Sequence, residues 1–344
     1  VHPDNPDVVY VASMGHAFGP TEDRGVFRTK DGGTTWEKVL YQNDLTGAID
    51  LVMSPGDPDV LFAALWTFER KAWGSFFGGP DGGIWRSKDG GGTWEEITSF
   101  PGLPKGDTGR IGLTMSAADP ERVYALVDSA TQSGLYRSDD TGDTWRFVSG
   151  DANVTARPFY FTHIYADPNN ANNLWSPGNK LWRSVDGGEN WILEPSIKDD
   201  FQDIWIDPED PNRMIVTCDG GTAVSLTGGK TWSSFANQSG VQFYRVDTDD
   251  QFPYRVYGNA QDLLVYSIPS SSRWGGIPLH MTDSIGNGET GRAIPKPGDP
   301  NIVYSLSTGA TFGGAAQFTV NNLKTGQTEP RSVWPEILFG TPAS

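Results

Sequence analysis

The chain has 344 residues, 20% of them charged, one cysteine and a formal net charge of −17. Its length allows one large domain or two ordinary ones. The acidity and lack of a basic stripe exclude a nucleic-acid wrapper, and no apolar run approaches the ~20 residues of a membrane span.

With 42 Gly and 24 Pro, the composition suits short strands and tight turns better than helices. Cys218 permits no internal disulfide. The sequence starts at Val1 with no signal peptide in view, so a processed or partial chain is expected.

In chain order, an Asp/Pro-rich turn leading into a β-rich run recurs seven times. It reads "HPDNPDVVYVA" from 2, "SPGDPDVLFAA" from 54, "SAADPERVYAL" from 116 and "YADPNNANNLW" from 165. It continues as "IDPEDPNRMIV" from 206, "DTDDQFPYRVYG" from 247 and "PKPGDPNIVYSL" from 295. Units two to five open with an extra strand: "AIDLVMS", "RIGLTMS", "FYFTHIYA" and "QDIWIDP". Unit one has only Val1 there, so an upstream segment or the tail "WPEILFGTPAS" is expected to supply its missing strand.

Unit two shows the whole plan. "AIDLVMS" alternates as a strand, "PGDPD" turns, and "VLFAALW" (60–66) is a continuous apolar run, as in a strand buried on both faces. A long loop is expected at 67–82, followed by a hairpin built from "GIWRSK" and "TWEEITS". Units six and seven keep strand-like material in "LLVYSIP" and "AAQFTVNNLKTGQTEPRSVW".

That hairpin carries a second repeat: "RTKDGGTTWEKV" (28–39), "RSKDGGGTWEEI" (86–97), "RSDDTGDTWRFV" (137–148), "RSVDGGENWILE" (183–194) and a worn copy, "VSLTGGKTWSSF" (224–235). Its Asp can accept hydrogen bonds from turn amides, its Gly can take positive φ, and its Trp buries a large ring between sheets. Asp31, Asp89, Asp140 and Asp186, with Trp36, Trp94, Trp145, Trp191 and Trp232, are therefore read as structural staples. One carboxylate per box supplies too few oxygens for calcium, and five copies around a ring cannot converge on one substrate. Four strands per 40–60 residues is the period of a propeller blade. The expected fold is all-β: a propeller of seven four-stranded blades over 1–335, with units of roughly 1–46, 47–106, 107–155, 156–197, 198–238, 239–286 and 287–335 and a tail at 336–344.

The boxes, together with "GHAFGP" (15–20), "GRIGLTMSAADPERVYALV" and "QFYRVDTDDQFPYRVYG", make the chain similar to large bacterial Asp-box (BNR) repeat proteins of glycosyl hydrolase-like, sortilin type. The match runs through nearly all of the chain and is weakest after about residue 305. The resemblance implies an exported protein, extracellular or periplasmic, whose parent chain carries further repeats. It implies no settled activity, because the hydrolase label rests on the shared box.

A sialidase would need an arginine cluster for the substrate carboxylate; its "RIP" motif is absent, and "ARPFY" (156–160) is a poor substitute. A tandem-propeller glucanase would need two carboxylates facing one another across a cleft, and with 43 acidic residues the sequence alone cannot pair them. Candidate binding residues are polar groups beside first strands, namely His163, Asp203, Gln261 and Asp262, and loop residues His16, Trp73 and His280. No pair of histidines has a metal spacing, so neither metal nor cofactor is expected. The expectation is a non-catalytic binding or scaffold module for a protein partner or an extracellular polysaccharide. The alternative is a glycoside hydrolase using a carboxylate pair.

Overall fold

The computed structural model describes residues 1–194, 199–235, 240–309 and 314–331. The chain forms two compact units, Val1–Gln238 and Ser239–Ser344. Both are β-sheet, and the described residues contain one three-residue 3-10 turn, Leu279–Met281.

Five sheets build the first unit. The first holds β1 (Val9–Met14), β2 (Arg24–Thr29) and β3 (Glu37–Leu40). The second holds β4 (Thr46–Met53), β5 (Leu61–Lys71), β7 (Gly83–Ser87) and β8 (Glu95–Glu96), with β6 (Gly74–Phe77) paired to the far end of β5. The third holds β9 (Thr108–Ser116), β10 (Asp119–Ser129), β11 (Gly134–Ser138) and β12 (Arg146–Ser149). The fourth holds β13 (Tyr165–Asp167), β14 (Asn170–Pro177), β15 (Leu181–Ser184) and β16 (Ile192–Leu193), and the fifth β17 (Phe201–Ile206), β18 (Met214–Cys218) and β19 (Gly221–Ser225).

Two sheets build the second unit. One holds β20 (Phe243–Thr248), β21 (Arg255–Ala260), β22 (Leu264–Pro269) and β23 (Asp283–Asn287). The other holds β24 (Thr290–Lys296), β25 (Asp299–Gly309), β26 (Gly314–Asn322) and β27 (Gln327–Pro330). All seven sheets are antiparallel meanders in chain order, as propeller blades are. The first and fifth show three strands rather than four among the described residues. The tail "WPEILFGTPAS" lies outside the described residues.

Apolar clusters lie between consecutive sheets, and the box tryptophans sit in them. Trp94 packs with Val26, Ala48 and Leu65 between the first two sheets. Trp145 is buried with Phe62, Ile97 and Tyr136 between the second and third. Trp191 and Trp232 occupy the next two interfaces. Each ring thus faces the sheet that precedes its own. Trp36, in the first sheet, stays 45% exposed.

The box turn is held by its carboxylate. Asp89 accepts from the Thr93 amide and hydroxyl, each at 2.8 Å, and from the Ser87 hydroxyl at 2.8 Å. Asp31, Asp140 and Asp186 repeat the pattern. Where the fifth box lacks Asp, the Thr227 hydroxyl takes the Thr231 amide at 2.9 Å. A second link runs from sheet to sheet through the box arginine. Arg28 donates to the Gly90 carbonyl of the next box, and Arg86 donates to the Thr141 carbonyl and to Asp143, both at 2.7 Å.

Candidate functional site

The first unit gathers five polar side chains on or beside the opening strands of four consecutive sheets. They are Asp50 on β4, Arg110 on β9, His163 just ahead of β13, Tyr165 on β13 and Asp203 on β17. A repeat position explains most of the set. Asp50, Gly112, His163 and Asp203 precede Asp57, Asp119, Asn170 and Asp210 by the same interval of seven residues. This position occurs once in each of these repeats, so a residue there is free of the box and of the turn.

The backbone is shaped for the site. A β-bulge falls at Ala48/Asp50 and another at Phe201/Asp203, and a bulge re-aims the side chain that follows it. Each aspartate is then fixed by the next amide: Leu51 N–H donates to Asp50 Oδ1 at 2.8 Å and Ile204 N–H to Asp203 Oδ1 at 2.7 Å. Gly112 takes the same position in the third sheet. A Cβ there would lie 2.2 Å from the Thr162 carbonyl oxygen, so only glycine lets the 158–163 segment close over β9. That approach sets His163 beside Arg110.

Arg110 is the hub. One of its Nη atoms donates to the Tyr160 carbonyl at 2.9 Å, and the other meets His163 Nε2 at 3.3 Å. A guanidinium can only donate, so Nε2 is the acceptor and the ring proton sits on Nδ1. Burial, and then the Arg110 charge, lower the His163 pKa to about 4. Burial also lowers the Arg110 pKa, opposed by the charge of Asp50. Tyr165 lies beside Asp203, and burial followed by the interaction with that carboxylate raises its pKa.

The two carboxylates differ in setting. Asp50 is recessed; its Oδ2 accepts from the Leu113 amide at 2.8 Å, a bond from one sheet to the next. Burial outweighs its hydrogen bonds and raises its pKa, and the Asp203 charge adds to the rise. Asp203 is exposed to solvent. Two interacting carboxyl groups in unlike environments are the arrangement that separates an acid from a base.

The aromatic loop read at 67–82 is a hairpin. Strand β5 continues to Lys71 and pairs with β6, Phe68 opposite Phe77. Trp66, Phe68, Phe77 and Phe159 form a stacked row with successive centroids 4.7, 5.6 and 4.7 Å apart. Their faces cover one another, which suits packing rather than a sugar platform. Arg110 lies 5.9 Å from the Trp66 ring, so the row adjoins the polar cluster. Trp73 stands at the hairpin turn and is 81% exposed, with Phe76 also exposed.

Of the residues singled out from sequence, the structure brings His163 and Asp203 together. His16 lies in an exposed loop, where its Nδ1 accepts from the Phe18 amide at 3.3 Å and its carbonyl takes Arg24. Gln261 and Asp262 form the β21–β22 turn, Asp262 with φ of 55°, and His280 sits in the 3-10 turn; all three belong to the second unit. Sequence reasoning missed Asp50, Arg110 and Tyr165. Among the described residues, no group of three or more His, Cys, Asp or Glu gathers to hold a metal ion, and no helix is long and apolar enough to cross a membrane.

No family model matches the chain. It is 29% identical over 174 residues to a xyloglucanase of Paenibacillus sp, covering 43% of this chain and 16% of that protein. It is 24% identical over 301 residues to the oligoxyloglucan-reducing end-specific xyloglucanase of Emericella nidulans, covering 80% of this chain and 34% of that protein. The crystal structure of the Niastella koreensis GH74 enzyme matches 96% of this chain and 49% of that one, with a TM-score of 0.59 and 15% identity, a likeness of fold. The chain thus spans about a third or less of these two curated relatives. These findings correct the expectation of a non-catalytic scaffold: the relatives are glycoside hydrolases, and the alternative reading is the one they favour.

Proposed function

We propose that the chain is the seven-bladed, Asp-box propeller portion of an exported glycoside hydrolase that acts on xyloglucan or a related β-glucan. The observation that carries this is the alignment of 80% of the chain with an oligoxyloglucan-specific enzyme. The polar cluster supports it. Asp203 is the open carboxylate and serves as the base or charge stabiliser. Asp50 is the recessed group, whose burial favours the protonated acid. Arg110 positions both His163 and the 158–163 segment, and the exposed rings of Trp73 and Phe76 offer faces on which a glucan can lie.

The test is reducing-end release from xyloglucan, with retention on a xyloglucan gel as the binding readout. Asp203→Asn and Asp50→Asn should each lower turnover at least about a hundredfold, the scale of a lost general acid or base, and leave retention in place. A folded protein that neither cleaves nor is retained by xyloglucan refutes the reading.

A further inference from the structure

The repeat position that supplies Asp50, His163 and Asp203 continues into the second unit. There Arg245 on β20 and Arg292 on β24 precede Phe252 and Asp299 by the same seven residues. Acidic or neutral residues thus give way to two arginines. Both line a groove of about 850 Å³ whose lining, among the described residues, belongs to the second unit and includes Tyr244, Ile294, Tyr304, Leu306 and Phe318.

The register explains why this face is apolar and open. Arg292 stands opposite Leu306, Ile294 opposite Tyr304, and Leu306 opposite Phe318, so these side chains share one face of the last sheet. The other face packs through Ala293 and Val303 against Tyr257, Val265 and Ile285 of the preceding sheet. The Tyr304 and Phe318 rings lie parallel, at 5°, with centroids 6.1 Å apart. Arg292 is held by Asp247 at 2.8 and 3.1 Å. Arg245 is exposed and has neither a hydrogen bond nor an ion pair among the described residues.

We propose that this groove binds a carboxylate-bearing glycan, an acidic oligosaccharide. Its carboxylate pairs with Arg245 and with the Arg292 donor that Asp247 leaves, and its sugar rings lie over the apolar lining of Ile294, Tyr304, Leu306 and Phe318. Three features select this ligand class. A guanidinium matches a carboxylate with two parallel hydrogen bonds. On a chain of net charge −17, long-range attraction does not gather anions, so Arg245, beside an Arg292 already met by Asp247, must act at short range. The volume suits a ligand of a few sugar rings, whereas a folded acidic protein would need about 800 Å² of surface per partner. The site does not depend on the hydrolysis reading, since it uses none of the first unit's residues.

Calorimetric titration of the whole chain with tetragalacturonate tests it, with a neutral xyloglucan oligosaccharide and tetraglutamate as comparison ligands. Tetragalacturonate should bind more tightly than either and weaken with salt. Arg245→Gln should weaken it about tenfold or more, as loss of a charge-assisted bond does, and Tyr304→Ala should weaken it without removing the salt dependence. Arg245 is exposed and unpaired, so its replacement should leave the melting temperature unchanged. The proposal is overturned if tetragalacturonate does not bind, if Arg245→Gln binds it as the parent does, or if the neutral sugar or tetraglutamate binds equally well. Failure of xyloglucan cleavage would leave these outcomes untouched.

Discussion

Trp145 and Trp36 occupy the same position of the same motif, and each donates its indole N–H to a box carbonyl at 3.1 Å. They differ in what lies against the ring: Trp145 is 6% exposed between two sheets, while Trp36 is 45% exposed. A buried Trp removes roughly 200 Å² from water, about 5 kcal/mol at ~25 cal/mol/Å². Trp145→Ala should therefore cost about 3–5 kcal/mol, the range for emptying a large ring from a packed interface. Trp36→Ala removes about half as much contact and leaves no closed cavity, so it should cost about 1–2 kcal/mol. Urea unfolding of the whole chain, followed by far-UV dichroism with calorimetry as a second probe, measures the difference. The reasoning fails if the two substitutions cost the same, because the box would then act through its turn and not through the interface its Trp fills.

The indole N–H of Trp94 is buried without a partner, so Trp94→Phe should cost less than Trp145→Phe, which orphans the Gly142 carbonyl, by about 1 kcal/mol; the same urea assay reads it. Arg86→Met removes the guanidinium that links Thr141, Asp143 and Glu95; both acids are exposed and rehydrate, so about 2–3 kcal/mol is expected, below the 3–5 of a fully buried pair. Asp31 and Asp89 are lowered to about 2, Asp31 chiefly by the Thr35 hydroxyl and Asp89 chiefly by the Thr93 amide. Their stabilisation is present above the usual carboxylate range and is lost as pH falls from about 4 toward 2, so Asp89→Asn should weaken acid sensitivity in that window. His163 has the same sign at a higher pH: an unfolded imidazole takes a proton below about pH 6.5 while the folded one waits until about 4. Stability should fall across that interval, and His163→Gln should flatten the fall in urea midpoints.

Most of the fold was legible because its signals are local. Turn residues and box residues act on neighbours within a few positions, so the seven turn markers match seven sheets, one to each. The misses occur where a distant partner decides. Residues 67–82 looked like a loop, yet Phe68 and Phe77 pair across a hairpin and stack on Phe159, a contact no local pattern encodes. "FYFTHIYA" looked like one strand, but strand structure begins only at Tyr165. Arg157 has φ of 49°, Pro158 has no amide to donate, and the backbone lies against Gly112 instead. Asp203 and His163 stood out as polar residues in apolar runs. Asp50 carried the same signal and emerges when the turn markers are set in register. Arg110 and Tyr165 lie off that register and enter the cluster only through the packing of neighbouring sheets.

This contrast separates two kinds of position in the chain. The box Asp recurs in four copies, and where Thr227 replaces it the same amide is still satisfied. Such a position answers to its own turn, so its chemistry is the same wherever it occurs. The strand position holding Asp50, Gly112, His163, Asp203, Arg245 and Arg292 recurs with equal spacing and different chemistry each time. Its backbone is supplied by the repeat, so nothing in folding requires these side chains to be alike. Structural need therefore cannot account for an acid beside an arginine-bound neutral histidine in one unit and two arginines lining an apolar groove in the other. If the variation were only tolerated drift, replacing Asp203 by Asn and Arg245 by Gln would change no ligand's binding and no turnover. If it carries function, the two replacements should act separately: the first on glucan cleavage alone, the second on acidic-sugar binding alone, with both proteins melting as the parent does.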